Sequence, residues 1–321
     1  MMVRYSLLFL LVLGFLVVPL VCYYIARWLS PRKYRHTIGV ISAFVMMALV
    51  VYGMTFGFEE VEVNHVEYAS PDLPQAFDGY RVVLISDVHL GSFSGRRQWA
   101  VQRDVDSILA QHPDMIVFTG DVQNFEPSEI PEFQPILKRL QAPDGVFAVL
   151  GNHDYDRYQK PEAKNPNLIL ETQRQERLMG WDLLMNQNRI IRRGNDSIVV
   201  AGMENWGDVS RMPRYGDVTK TLHGIDSSSF VLMLQHDPSA WRKQILPNSH
   251  AQLTLSGHTH GMQSGIFGWS PLSLTSRECA GFYYEGDRAL FVTKGLGGLV
   301  PFRLGMPAEI VVITLRRANP Q

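Results

Sequence analysis

The sequence predicts an α/β domain that follows two N-terminal transmembrane helices, and two observations lead to this class. Apolar runs of about five residues, typical of strands buried on both faces of a sheet, recur after residue 80 and alternate with segments of helical spacing. Before them, residues 7–26 and 37–58 are uncharged and apolar, each about the length of a bilayer-spanning helix. The 321 residues therefore divide into a membrane anchor (1–58), a polar connector (59–79) and one large domain (80–317).

The two apolar runs are predicted to form a hairpin with a cytoplasmic turn. The turn carries Arg27, Arg32, Lys33 and Arg35, whereas residues 59–80 contain no Lys or Arg. By the positive-inside rule, such a basic turn stays in the cytoplasm. We therefore expect a multi-pass protein of the cell membrane whose large domain lies on the extracytoplasmic side.

A cleaved signal peptide is the alternative interpretation of the first apolar run. Three features favour a retained helix instead: Arg4 is the only basic residue before the run, the run is longer than a signal-peptide core, and no small-x-small cleavage pattern precedes the basic turn. We therefore expect both helices in the mature protein.

Five polar clusters in the large domain each follow a strand-like apolar run. Ligands of α/β sheets collect beyond the carboxyl ends of the strands, so these clusters are expected to meet at one site. The clusters are Asp87-Val88-His89, Gly120-Asp121, Gly151-Asn152-His153-Asp154, His236-Asp237-Pro238 and Gly257-His258-Thr259-His260.

The residue types in these clusters indicate a metal centre. A single His after a strand is usually a hydrogen-bonded core or loop residue, but five of the ten His fall in the clusters. Carboxylate, amide and imidazole ligands without thiolate suit Mn, Fe, Co or Zn better than Ca. Two such metals side by side can clamp a phosphate ester and activate a water against it.

The series of clusters resembles the calcineurin-like metallophosphoesterase family, in particular its small bacterial membrane-associated or exported branch. The resemblance covers residues 80–315 and includes the later segments 293–297 and 307–310. It implies a four-layer αββα sandwich, in which two mixed sheets face each other with helices outside. It also implies an enzyme, a metal-dependent hydrolase of phosphoric ester or pyrophosphate bonds.

Carried over residue by residue, the resemblance implies a set of ligands for each of two divalent metals. Mn is the favoured metal. One metal is assigned to Asp87, His89 and His260, and the other to Asn152, His236 and His258. Asp121 is assigned to both, because a carboxylate can bind one cation with each oxygen.

The resemblance gives His153 and Asp154 catalytic roles. His153 is expected to contact the substrate phosphate and to protonate the leaving oxygen, and Asp154 to hold the His153 ring in place. A metal-bridging hydroxide is the expected nucleophile. The chain departs from the family pattern at Asn124, where an acidic residue is common, and at Gln263; neither position is an expected ligand.

The remaining helices and turns are predicted from the spacing of apolar residues and from glycine and proline, which end helices and strands. Helices are predicted around residues 99–109, 131–140 and 168–179, the last ended by Gly180. A hairpin is predicted over residues 189–196, turning at Gly194-Asn195, and its arginines are more typical of a solvated edge than of a phosphate contact.

The composition of the chain argues against a function in nucleic-acid binding. The formal net charge is −1, so no basic field is present to attract nucleic acid. Cys22 and Cys279 are not expected to form a disulfide, because Cys22 lies in a predicted membrane helix. The apolar segment 266–272, close to the last His pair, is either a loop that docks on a lipid surface or a loop packed on the core.

The sequence therefore predicts a membrane-anchored, dinuclear-metal phosphoesterase that acts on a phosphate ester or pyrophosphate of a lipid-linked substrate. The alternatives are hydrolysis of a soluble phosphomonoester or phosphodiester and, with less support, a non-catalytic binding or signalling protein on the same fold. All seven ligand positions are filled, which favours an enzyme. The sequence does not predict the oligomeric state.

Overall fold

Two mixed β-sheets form the framework of the part of the chain that the computed structural model describes, namely residues 13–95, 97–155, 167–210, 212–266 and 269–318. The strand order is β1-β12-β2-β3-β4-β5 in the first sheet and β10-β11-β9-β8-β7-β6 in the second. The strands are β1 (Val61–Ser70), β2 (Arg81–Ile85), β3 (Met115–Phe118), β4 (Val146–Ala148), β5 (Asp182–Leu183), β6 (Gln187–Arg193), β7 (Asp196–Gly202), β8 (Val231–Leu234), β9 (Leu253–Ser256), β10 (Gly281–Glu285), β11 (Arg288–Val292) and β12 (Ala308–Arg317).

The central strands of each sheet are parallel. In the first sheet β2, β3, β4 and β5 run in the same direction, and β12 pairs antiparallel with β2. In the second, β7, β8, β9 and β11 are parallel, with antiparallel β6 and β10 at the edges. The carboxyl ends of the central strands therefore lie along one edge of each sheet.

Alternate side chains of the central strands enter different cores. In β2, Val82 and Leu84 join a cluster that contains residues of both sheets, whereas Val83 and Ile85 join an outer cluster. The inner cluster shows that the sheets pack face to face. A run that is apolar at every position fits this arrangement, because both faces of the strand are buried.

Helices cover the outer faces of both sheets. Val101, Val105 and Ile108 of one helix pack against the first sheet, and Trp241 and Ile245 pack against the second. Two mixed sheets with helices outside are what the sequence predicts. The helical segments, short 3₁₀ turns aside, are Leu13–Leu29, Arg35–Met54, Phe56–Glu59, Gln98–Leu109, Gln134–Leu137, Asn167–Leu178, Val218–Thr221, Trp241–Ile245 and Leu246–Asn248.

The N-terminal helices form a hairpin. In the described residues, one helix is long and apolar enough to cross a membrane: it runs over Arg35–Glu59, with a mean hydropathy of 2.1. The helix before it, Leu13–Leu29, is apolar but shorter. The Ser42 hydroxyl donates to the Cys22 carbonyl at 3.3 Å and ties the two together. Residues 7–12 of the first predicted span lie outside the described residues.

The C-terminal end of the second helix packs directly on the large domain. The Arg303 amide donates to the Gly53 carbonyl at 2.9 Å. A Cβ at Gly53 would lie 2.4 Å from the Phe302 ring, and a Cβ at Gly57 would lie 2.2 Å from the Arg303 carbonyl oxygen. The close approach therefore needs glycine at both positions.

Two sequence expectations differ from the structure. The segment 59–79 contains β1, a ten-residue strand parallel to β12, where a connector is expected. Its outward residues are polar because β1 is an edge strand with one face towards solvent. The helix expected over residues 131–140 is limited to the single turn Gln134–Leu137.

Candidate metal centre

The strand ends bring all seven predicted ligand side chains to one place. Asp87 and His89 follow β2, Asp121 follows β3, and Asn152 follows β4. His236 follows β8, and His258 and His260 follow β9. The first four belong to one sheet and the last three to the other. The site therefore lies where the carboxyl ends of the two sheets meet.

One group of side chains consists of Asp87, His89 and His260. Each offers a ligand atom, and these atoms lie within 4.8 Å of one another. His260 Nε2 is 3.4 Å from Asp87 Oδ1. The spacing suits a single cation bound between them.

A second group is centred on His236. Its Nε2 lies 3.2 Å from Asp121 Oδ2, 3.1 Å from Asn152 Oδ1 and 3.3 Å from His258 Nδ1. Asp121 Oδ2 is also 3.6 Å from His89 Nε2 in the first group. Asp121 therefore lies between the two groups and could bind a cation in each.

Glycines and left-handed turns allow this convergence. A Cβ at Gly151 would lie 2.2 Å from Asp121 Oδ1, and a Cβ at Gly257 would lie 2.2 Å from Asp87 Oδ2. Neither carboxylate could keep its position beside a larger residue. Five of the seven candidate ligands themselves have positive φ, between 50° and 71°: Asp87, His89, Asp121, His258 and His260. Such backbone strain is common at functional sites.

Buried ring nitrogens without hydrogen-bond partners fit a metal at this site. His89 is fully buried, and among the described residues neither of its ring nitrogens has a hydrogen-bond partner. His260 Nδ1 is also buried without one. Buried polar atoms are normally paired, so unpaired ring nitrogens in a site with two carboxylates fit the binding of a cation there. Burial lowers the pKa of His260 to about 4, so its ring is neutral, as a ligand must be.

His236 is the exception among these rings. Burial disfavours its charged form, but the Asp121 and Asp87 carboxylates and the Thr119 carbonyl together outweigh burial and raise the pKa of His236 to about 10. These groups therefore favour a proton on the His236 ring, whose Nε2 faces Asp121 Oδ2. A cation bound here would have to displace the His236 proton.

His153 lies beside the first group. Its ring is 4.9 Å from the His89 ring, centre to centre, and its backbone amide donates to Asp121 Oδ1 at 2.7 Å. His153 Nδ1 is 2.6 Å from the Asn124 carbonyl oxygen. One nitrogen of His153 also lies within 4.8 Å of ligand atoms of His89 and Asp121, so distance alone permits either a metal or a substrate role.

The structure gives Asp154 a different task from the one the sequence predicts. Its carboxylate accepts backbone N–H groups of Gly151, Asp121 and Val122 at 2.7 to 3.0 Å. It thus fixes the two turns that carry Asn152 and Asp121, whereas the Asn124 carbonyl contacts the His153 ring. Burial and the nearby Asp121 raise the pKa of Asp154, and its N–H donors offset part of the rise.

Asp237 is a residue to which the sequence assigns no role. Its Oδ2 lies 3.7 Å from Nε2 of His258, the ring nitrogen opposite the one that faces His236. A carboxylate on the far side of a ligand His commonly orients the ring. In the sequence, the position of Asp237 directly after His236 in the fourth cluster could have indicated this role.

The arginines of the predicted hairpin form ion pairs with other residues. Arg189 pairs with Asp182, and Arg193 pairs with Asp114.

The surface next to His260 is apolar and exposed. Met262, Ile266, Trp269 and Leu274 are exposed by 53%, 67%, 50% and 76%. Of the two interpretations of segment 266–272, packing on the core does not fit Ile266 and Trp269; Phe267 and Gly268 lie outside the described residues.

Comparison with solved structures gives weak similarity. Phosphopantetheinyl hydrolase (PptH) of Mycobacterium tuberculosis matches with a TM-score of 0.42 and 11% identity, over 70% of this chain and 92% of that chain.

Comparison with known sequences gives longer matches. A "transmembrane protein with metallophosphoesterase domain" of Danio rerio is 29% identical over 89% of this chain, which spans 64% of that protein. The metallophosphoesterase YkuE of Bacillus subtilis is 28% identical over 91% of this chain and 99% of its own length. The UDP-2,3-diacylglucosamine pyrophosphatase LpxG of Chlamydia trachomatis is 27% identical over 75% of this chain and 86% of its own length.

The family model for calcineurin-like phosphoesterases matches residues 80–262, more than half of the chain. The match includes β2, β3, β4, β8 and β9 and the turns that follow them. The expected enzyme class, a hydrolase of phosphate esters, is thereby confirmed. The chain belongs to the calcineurin-like phosphoesterase family.

Proposed function

We propose that the protein is a membrane-anchored phosphoesterase with two metal ions, which hydrolyses a phosphate ester or pyrophosphate of a lipid-linked substrate. The observation that carries the proposal is the position of Asp121 between two groups of ligand side chains, in a chain that also has an apolar helix long enough to cross a membrane. The calcineurin-like family supplies the reaction class.

In this proposal Asp87, His89 and His260 hold one metal, and Asn152, His236 and His258 hold the other. Asp121 contributes to both. Mn²⁺ is the favoured ion, and Fe, Zn and Co suit the same ligands. Two divalent ions bound there would supply Lewis-acid charge for the phosphate and an acidified water at neutral pH.

We assign His153 to the substrate phosphate and to the proton that the leaving oxygen needs. The Asn124 carbonyl beside Nδ1 fixes the orientation of the ring, which a general acid requires. Asp154 holds the turns that carry Asp121 and Asn152, so it acts as a positioning residue.

Both N-terminal helices are proposed to cross the membrane, with the basic turn inside and the catalytic domain outside. The helix Arg35–Glu59 has the length and hydropathy for this, and the first helix packs along it. The resulting domains are the anchor 1–58 and the catalytic region 80–317, to which β1 adds an edge strand.

Two observations favour a lipid-linked substrate. The similar LpxG protein is named for a diacylated nucleotide sugar. The exposed apolar side chains Met262, Ile266 and Trp269 lie within nine residues of His260 along the chain, where a substrate tail or the bilayer surface would meet them.

A substrate screen with metal analysis tests the proposal. The full chain, purified in detergent, is stripped of metal and reloaded with Mn²⁺, Fe²⁺, Co²⁺ or Zn²⁺. It is then assayed against phosphomonoesters, phosphodiesters and lipid pyrophosphates. We expect two ions per active chain and the highest kcat/KM on a lipid-linked substrate. Full activity with one ion or none would contradict the two-metal centre, and a clear preference for water-soluble esters would contradict the lipid-linked substrate.

A further inference from the structure

We propose that a cavity between the N-terminal helices and residues 300–304 binds an acyl chain of the substrate. The inference rests on the proposed lipid-linked function and adds a location for the tail. The cavity has a volume of about 270 Å³. Its walls include Leu13 and Val18 of the first helix, Met46 and Val50 of the second, and Val300 and Leu304 of the catalytic domain.

The wall of the cavity that belongs to the catalytic domain, residues 300–304, is hydrogen-bonded to the loop that carries His260. The Leu304 amide donates to the Gln263 carbonyl at 2.9 Å, and Gln263 Nε2 donates to the carbonyls of Val300 and Phe302 at 2.9 Å each. Gln263 is three residues from His260, a Cα separation of at most about 11 Å. A chain in the cavity therefore ends close to the candidate metal centre.

A second connection runs through Arg303, whose side chain is fully buried. Its guanidinium donates to the carbonyls of Lys294 and Gly297 at 2.8 and 2.6 Å. The Gly297 amide in turn donates to the Asp87 carbonyl at 2.8 Å. Since the Arg303 amide also bonds to Gly53, helix, cavity wall and Asp87 turn are held as one unit.

The surroundings of the cavity argue for an acyl chain as the occupant. Every side chain named on its walls is apolar, so a polar group would lose its hydrogen bonds there. Two of the walls belong to apolar helices, of which the second has a mean hydropathy of 2.1. In a bilayer, such a helix is surrounded by the acyl chains of lipids. The third wall, residues 300–304, is hydrogen-bonded to the loop that leads to His260. This continuity favours the substrate tail over any water-soluble partner.

Filling the cavity tests the inference by kinetics. Val50→Phe and Val300→Phe fill it from opposite walls, and Val45→Phe is the matched control, because Val45 lies on the same helix, is 50% exposed and does not line the cavity. The substrates are hexadecyl and ethyl 4-nitrophenyl phosphate, which share one leaving group. We expect the ratio of kcat/KM for hexadecyl over ethyl ester to fall about tenfold in Val50→Phe and Val300→Phe, roughly the effect of two methylene groups left in water. Val45→Phe should keep the wild-type ratio.

Photo-crosslinking gives a second readout that needs no turnover. An alkyl phosphate with a diazirine at the end of its chain, added in equimolar amount in detergent, should label Met46, Val50 or Val300. Excess hexadecyl phosphate and Val300→Phe should both suppress the labelling, and Val45→Phe should not.

Three outcomes would overturn the inference. They are an equal effect of Val50→Phe and Val45→Phe, labelling that is spread over the outward faces of the helices or not displaced by hexadecyl phosphate, and no labelling of the cavity residues, which would mean that another segment of the chain fills the cavity. A protein that hydrolyses no substrate of the screen described above, yet shows displaceable cavity labelling, would support the cavity while contradicting the proposed function. The two failures are thus distinguishable.

Discussion

At the residue scale, substitutions of Asp121 and of His153 are expected to have different effects on metal content and rate. Asp121→Ala removes the carboxylate between the two ligand groups, so metal content and kcat should fall together. His153→Ala should leave metal content nearly unchanged while kcat drops by roughly a hundred- to ten-thousand-fold, as for the loss of a general acid. Metal analysis and steady-state kinetics on the same samples measure both quantities.

The leaving group provides the control for His153. Esters of nitrophenol need little protonation, so His153→Ala should slow them less than alkyl esters. His223→Ala, which changes an exposed His outside the five clusters, should alter neither metal content nor rate. A His153→Ala protein that loses one metal, or that slows all esters equally, would show that His153 is not the proton donor.

Asp104 is expected to make the stability depend on pH. Burial raises the pKa of this carboxyl to about 6, above the value of 3.8 in an unfolded chain. Well below pH 4 the carboxyl is protonated in both states. Between pH 4 and 6 only the unfolded state releases the proton readily, so the folded state loses up to about 3 kcal/mol of stability, and above pH 6 the loss is constant. Asp104→Asn should therefore stabilise the protein increasingly between pH 4 and 6. Urea unfolding at several pH values measures this, with the exposed Asp106→Asn as control; parallel pH profiles for wild type and Asp104→Asn would contradict the prediction.

Residue types predicted the location of the ligands but not every partner. The seven side chains are recognisable because Asp, Asn and His rarely follow buried strands in such numbers. The contacts of Asp154 and His153 are made with backbone atoms, at Gly151 and at the Asn124 carbonyl, and backbone atoms have no signature in sequence. The acidic residue absent at position 124 therefore matters little to the His153 contact, which any residue's carbonyl could make.

At the scale of elements, the contact between the second helix and the catalytic domain is expected to be intolerant of added volume. Gly57→Ala places a methyl group 2.2 Å from the Arg303 carbonyl oxygen, so the helix must shift. We expect a loss of about 1–3 kcal/mol, typical of overpacking. Thermal unfolding in detergent measures the loss, and proteolysis between helix and domain should become faster.

Ala48→Val is the control for this contact, because Ala48 is exposed on the same helix. It should leave both measurements unchanged. Wild-type stability and protease resistance in Gly57→Ala would mean that helix and domain are not rigidly joined.

Elements buried on both faces were predictable, and those at the edge were not. The strands β3, β4 and β8 are apolar throughout, so their sequence alone identifies them. The strand β1 pairs on one side only, and residues such as Glu62 and Glu67 make it look like a linker. Residues 131–140 have helical spacing, but Pro135 cannot donate a backbone hydrogen bond to the preceding turn, so the helix begins only at Gln134.

At the scale of the whole molecule, the orientation in the membrane is testable by fusions. With the basic turn inside, alkaline phosphatase fused after the last residue should be active, and a green fluorescent protein in the same place should be dark. The same reporters placed in the turn at Pro31 should give the opposite signals. A fluorescent C-terminal fusion without phosphatase activity would show that the orientation is reversed.

The sandwich could be predicted from one chain because its cores are formed within that chain. The N-terminal helices could not be predicted equally well, since most of their surface is not packed against the rest of the described chain. The contact of Gly53 and Gly57 with the catalytic domain leaves no periodic signal, and only the folded arrangement reveals it.

The left-handed backbone at five candidate ligands has a consequence for evolution. His89, His258 and His260, like the two aspartates, hold a conformation that costs an L-residue about 1–2 kcal/mol and costs glycine almost nothing. Selection for catalysis keeps these side chains against that cost. In a lineage that no longer needed the reaction, glycine would be the replacement that stabilises the fold. A degenerate descendant of this protein should therefore be recognisable by glycines at the positions of these candidate ligands.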